Sequence, residues 1–222
     1  MSDERKREFA SEFSASKQGS AILLEEYAGG RIPIGSFDIA SAERMNQSLK
    51  KNADAAGILN KVRAADAEKK KELVSRLNHL MKVPEQFEGD PAKGKILFGT
   101  CLLCHRVGDQ GFDMAPALDG SAKREREALL TAILDPDAAV EGGYQVYRVA
   151  KKDDTTLEGH LKKDDGAGVT LAFMGGATVF VPAAEIASKG FVGGRSFMPK
   201  GLIDGYSDRE VADLLAFIRT LK

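Results

Sequence analysis

The apolar positions of the chain change rhythm near residue 88 and again near residue 143. Over residues 1–88 they recur at helical spacing among Ala, Glu, Lys, Leu and Arg, with breaks at Gly29-Gly30 and Pro33. Leu73, Leu77, Leu80 and Met81 stand at i, i+4, i+7 and i+8, a single stripe that predicts a helix over about 66–82. Gly29 is placed to cap a helix ending near Tyr27. The expectation is three or four short helices in an antiparallel array. Residues 1–18 have thin apolar content and read equally well as a solvated linker.

A boundary is expected between Val83 and Gly89. Asp90 then reads as an N-cap with Pro91 at the first helical position, opening a short helix through Ile96, Leu97 and Phe98. Ser121 is placed to cap another, carrying Leu129, Leu130, Ile133 and Leu134 on one side and stopped at Asp135-Pro136. From 143 to 181 the pattern turns strand-like. Tyr144, Val146, Tyr147 and Val149 form one group, Val169, Leu171 and Phe173 a second, and Val179, Phe180 and Val181 a third, with Asp and Gly turns between. A small antiparallel sheet of three or four strands is expected there. Ser207 to Glu210 reads as a capping box, followed at helical spacing by Val211, Leu214, Leu215, Ile218 and Leu221.

Composition narrows the classes. Net charge is −1 and nearly balanced on both sides of residue 88, so neither part is a basic arm; nucleic acid is not an expected partner. No apolar run is long enough to span a membrane. The first 16 residues are charged from the start and hold no signal-peptide h-region. The two cysteines cannot build a disulfide framework.

Those two cysteines fall within five residues, in Cys101-Leu-Leu-Cys104-His105. This is the spacing of c-type haem attachment. Two thioether bonds to the vinyl groups of one porphyrin need sulfurs about one helical turn apart. The next residue then lies under the ring, where an imidazole nitrogen reaches the iron. A thioredoxin-like Cys-x-x-Cys would follow a strand, but here a capped helix precedes it. A zinc site needs four ligands, and the whole chain offers two Cys and three His. A chance occurrence of the pattern is the bland alternative.

Haem c iron usually takes a second axial ligand, and a Met raises the potential. Met198 lies in Ser196-Phe-Met-Pro-Lys-Gly-Leu202, where Pro199 stiffens a loop ahead of the last helix. Met174 beside Gly175-Gly176, His160 in the expected sheet, and an open sixth position are the alternatives; Met114 is too near the motif to reach the far face easily. Pro116 lies on the loop after the motif. A backbone carbonyl near it could accept the His105 Nδ1–H, or Pro116 is simply a loop proline.

These residues resemble a cytochrome c domain of the class I type. The resemblance rests on the early helix Asp90–Gly99, Cys101–His105, the loop Pro116–Leu118, Met198-Pro199 and the closing helix with Asp213-Leu-Leu-Ala-Phe-Ile218. More narrowly, the chain is similar to the C-terminal haem-binding domain of large secreted proteins of planctomycetes and verrucomicrobia. Ala132-Ile-Leu-Asp-Pro136 followed by Tyr144, the strand-rich insertion, Ile186 and the Ser196–Leu202 segment carry that likeness. It implies Cys101 and Cys104 as thioether attachments, His105 and Met198 as axial ligands, and a Pro116 carbonyl bonded to His105. In that family the domain often follows a β-propeller and helical repeats, and residues 1–88 look like the tail of such repeats.

The expected fold is therefore mainly α: a short helical, repeat-like region over 1–88, then a cytochrome c-like haem domain over 89–222 with a small β insertion at about 143–190. The expected function is electron transfer through one covalently bound haem c, not enzymatic, with a dehydrogenase or another cytochrome as partner. A haem enzyme or sensor of peroxidase type, and a helical interaction module with incidental cysteines, are the competing readings. Lys189, Arg195 and Lys200 read as a modest docking patch or as solvated surface. Covalent haem attachment places the protein in a periplasmic or secreted compartment, with its leader absent from this chain.

Overall fold

The computed structural model describes residues 3–153 and 155–222. The chain forms two compact units, one up to Val74 and one from Ser75. The first is helical: α1 (Asp3–Phe13), α2 (Lys17–Ala28), α3 (Ile39–Ser48) and the beginning of α4 (Ala53–Gln86). Leu23, Ile32, Phe37, Met45, Ile58 and Val62 are among the side chains of its buried core. Asp38 caps α3 reciprocally with Ser41. The stripe expected over 66–82 belongs to a much longer helix, since α4 runs for 34 residues and ends just after Pro84.

In the second unit, the end of α4, α5 (Pro91–Phe98), α6 (Arg126–Leu134) and α7 (Asp208–Ile218) share one apolar core, including Leu80, Val83, Phe98, Leu130, Val211, Leu214, Leu215 and Ile218. Asp90 caps α5, accepting from Ala92 N at 2.9 Å, and Ser207 and Glu210 form the capping box of α7. Helices α5 and α7 cross at van der Waals contact of their backbones. A Cβ on Gly94 would stand 1.9 Å from the Asp213 carbonyl oxygen, so only glycine fits. Asp213, almost fully buried, accepts the Asp90 amide at 2.7 Å, and the Phe98 and Phe217 rings pack 5.0 Å apart. Ser121 does not cap α6; it opens a short 3-10 turn, and Glu125 occupies the cap position without a side-chain bond.

The expectation of a mainly α protein with a small β insertion is wrong. Half of the residues are helical, and the rest of the regular structure is a two-stranded and a five-stranded antiparallel sheet, making a mixed helix/sheet protein. The small sheet pairs β1 (Arg106–Val107) with β2 (Gln110–Gly111). The large one contains β3 (Gln145–Lys151), β4 (Thr156–Asp165), β5 (Gly168–Ala172), β6 (Thr178–Pro182) and β7 (Ile186–Ser196), in the order β6-β5-β4-β3-β7. It has its own core of Tyr147, Val149, Val169, Leu171 and Val181. A sheet with a separate apolar layer is an architectural half of the unit. The chain crosses from β6 at one edge to β7 at the other, and β7 ends beside Gln145 at Ser196.

Candidate haem site

The site begins where α5 runs out. After Gly99, residues Cys101–Leu103 form a 3-10 turn, closed by bonds from the Cys104 and His105 amides to the Cys101 carbonyl at 3.2 and 2.9 Å. Cys101 and Cys104 thus sit one turn apart, half-buried and not joined to each other. Burial pushes the Cys101 thiol up to about 11 and the Cys104 thiol upward too. A redox-active Cys-x-x-Cys depends on a depressed pKa, so this pair has the opposite character.

The next 13 residues fold back over the motif. The Met114 and Ala115 amides both donate to the Cys104 carbonyl at 3.0 Å, and the Leu118 amide to Arg106 at 2.9 Å. Gly111 allows the close approach: its φ is +88°, and a Cβ there would stand 2.1 Å from the His105 carbonyl oxygen. This wrap brings Pro116 to His105, whose Nδ1 lies 2.7 Å from the Pro116 carbonyl oxygen. A carbonyl only accepts, so Nδ1 carries the proton and Nε2 keeps its lone pair. Burial lowers the His105 pKa, opposed by the Pro116 bond, and the ring is held neutral. Two uncrosslinked thiols and a fixed neutral imidazole with Nε2 unprotonated are the donor set a covalently attached haem requires, so the residues fit that group.

Met198 is half-buried in the loop after β7. Its amide donates to Ser196 Oγ at 3.1 Å, the Ser196 amide to Asp137 Oδ1 at 2.8 Å, and Lys200 Nζ meets Asp135 and Asp137 at 2.9 and 3.0 Å. Met174 is mostly exposed, on a short turn packed against Cys101–Leu103. His160 is buried in β4 and stacked on Tyr144 at 5.5 Å, with its Nδ1 unpartnered among the described residues. Burial and Lys162 lower its pKa, and Asp113 opposes them. Met114 is buried beside the motif. Among the described residues no three His, Cys, Asp or Glu side chains converge as metal donors. The cations of the expected docking patch are each matched to a carboxylate: Lys189 to Asp164, Arg195 to Glu158, Lys200 to Asp135 and Asp137.

Sequence reasoning missed the polar groups that secure the sheet and the Met198 loop. Glu158 on β4 accepts from Arg148 Nε of β3 at 2.7 Å and also pairs with Arg195 of β7. Asp137 received no role beyond the helix stop before it. No local signal marks these residues, because their partners lie on other strands and loops.

Residues 91–175 match the family model described as Cytochrome c. A 39-residue stretch is 46% identical to cytochrome c2 iso-2 of Rhodospirillum centenum, covering 17% of this chain and 32% of that protein. The chain therefore spans about a third of the length of the curated relative it matches. Among the described residues no helix is long and apolar enough to cross a membrane. With the geometry around His105, these likenesses support a cytochrome c domain of the class I type at residues 91–175, a domain that implies covalently bound haem c.

Proposed function

We propose that this protein carries single electrons through one haem c, attached at Cys101 and Cys104 and ligated by His105 on one face and Met198 on the other. When bound, haem supplies an iron that alternates between the ferric and ferrous states. The observation that carries the reading is the 2.7 Å bond from His105 Nδ1 to the Pro116 carbonyl, directly after the Cys-x-x-Cys turn. It fixes the tautomer and raises the donor strength of Nε2. Cys101 and Cys104 tether the group, and the wrap of 106–118 holds the imidazole in register. The Met198 thioether would be the second protein ligand, of a kind that favours the ferrous state. Held by two protein ligands, the group would offer no open site to a substrate, and the protein is a carrier that exchanges electrons with a dehydrogenase or another cytochrome. Its home is periplasmic or secreted, and the narrower kinship is with the haem-binding domains of large planctomycete and verrucomicrobial proteins.

The test is an optical spectrum of protein matured with a haem-attachment system. Reduced haem c bands and covalent haem on a denaturing gel are expected, with a weak near-red sulfur-to-iron band in the ferric form. Met198→Ala should abolish that band and lower the midpoint potential; an unchanged spectrum and potential would refute the ligand assignment. The buried, unpartnered Nδ1 of His160 favours one second reading, a peroxidase-like site with His160 as the acid–base group. A five-coordinate, high-spin ferric spectrum with peroxide turnover would select it.

A further inference from the structure

The geometry points to Asp137 as the positioning residue for the Met198 loop, holding it from both sides with a single carboxylate. The inference rests on the assignment of Met198 as ligand. Asp137 Oδ1 accepts the Ser196 amide, two residues before Met198, at 2.8 Å, and Oδ2 meets Lys200 Nζ, two residues after it, at 3.0 Å. Ser196 Oγ in turn accepts the Met198 amide at 3.1 Å. Two of these bonds fix the backbone at Ser196 and Met198, and the third ties the Lys200 side chain on the far side of the sulfur-bearing residue.

The carboxylate stands on a rigid base. Asp135 ends α6 with its amide on Thr131 at 2.8 Å, Pro136 is buried, and the Ala138 amide closes the turn onto Asp135 at 2.9 Å. Asp135 takes a second bond from Lys200 at 2.9 Å. On the other flank, β7 brings Ser196 opposite Gln145 of β3, and Arg195 is locked to Glu158. The sheet thus delivers the loop to the end of α6, and Asp137 fastens it there. A thioether is a weak donor, so its occupancy of an axial position depends on how little the loop moves. Removing Asp137 frees the loop and opens the sixth position to competing ligands.

The experiment titrates imidazole into the ferric, matured full-length protein and records the near-red band and midpoint potential, with covalent haem content and far-UV circular dichroism as controls of folding. Asp137→Ala is expected to keep haem content and helicity, weaken the band, lower the potential and bind imidazole about tenfold more tightly, the effect of losing the charge-assisted bond from the Ser196 amide together with the weaker, exposed pairing with Lys200. The isosteric Asp137→Asn keeps an acceptor for Ser196 and loses only the pairing with Lys200. It should move every readout in the same direction, with imidazole affinity changed about threefold. If Met198→Ala loses the band while both Asp137 variants match the unsubstituted protein in band, potential and imidazole affinity, the positioning role is overturned and the ligand assignment stands. If Met198→Ala keeps the band, both fall together. Should Asp137→Ala fail to mature, the Asn variant alone decides.

Discussion

Residues 101–118 and residues 196–200 are stabilised by opposite means. The first segment is closed largely by itself: backbone bonds join Cys101 to His105 and Cys104 to Met114 and Ala115, and the His105 ring donates to the Pro116 carbonyl, all within 16 positions. The second has the bond from Met198 to Ser196 within itself, is paired through Ser196 with Gln145 of β3, and is tied by Asp135 and Asp137, which lie 59 to 65 positions away. A local wrap forms as soon as its turn residues are right. A remote loop is correct only when helix, sheet and crossover are all in place, because loop closure over that distance must be offset by tertiary contacts. The two segments should therefore fail under different insults.

The largest effect is expected at the α5–α7 crossing. Gly94→Val would place a branched side chain where a Cβ already meets the Asp213 backbone 1.9 Å away. Neither backbone can yield without separating the helices, and a loss of about 3 kcal/mol in urea unfolding is expected. The next falls on the local face alone. Gly111→Ala combines a φ of +88° with a Cβ 2.1 Å from the His105 carbonyl. It should cost about 1–2 kcal/mol and reduce haem incorporation in a maturing host, while the amides of β3 and β4 keep their protection in hydrogen exchange. Equal loss of protection in the sheet would break the contrast between the two regions.

What was legible in the sequence follows the same division. Asp90-Pro91 and the Ser207–Glu210 box are local codes, and each forms the cap it encodes, while Cys101–Leu103 folds as one local turn. Ser121 shows the limit of such codes: a good capping residue took a 3-10 turn, and α6 began later without a side-chain cap. Strand β7 was invisible because Lys189, Gly190, Gly193 and Gly194 are poor strand formers. It exists because the free edge of β3 pairs with it, with bulges at either end. The fold class failed for the same reason. Strand-like runs judged one at a time look like an insertion, whereas crossed and paired they bury a second core. Asp137 and Glu158 carry no pattern at all, since a carboxylate's worth is set by the partner the fold delivers.

On the remote side the contrast rests on Glu158. Glu158 holds β3 to β7 through Arg148 and Arg195, just ahead of the Met198 loop. Glu158→Gln keeps the shape and removes the charge, leaving two guanidinium groups facing a neutral amide. The site is partly open to solvent, so about 1 kcal/mol is expected. The amides near Ser196 should exchange faster, and those of 101–118 should not.

The smallest effect is the pH dependence of that same cluster. Burial alone would raise the Glu158 carboxyl above its ordinary 4.5, but Arg148 and Arg195 outweigh it and hold the group below that value. Folding therefore releases a proton from this residue when the pH lies near 4.5, and the unfolded chain binds protons more readily than the native one. The stabilisation is fully present above pH 4.5 and is lost as the pH falls through the depressed native value. The Gln variant has no such group. The difference in unfolding free energy between the two proteins should thus be constant from neutral pH to about 5 and shrink below 4.5, approaching zero once the native carboxyl is protonated. Urea titrations followed by far-UV circular dichroism at a series of pH values measure that difference directly. A gap that stays open at low pH would show that the carboxyl acts through shape and hydrogen bonding alone, and that the sheet's grip on the Met198 loop does not depend on charge.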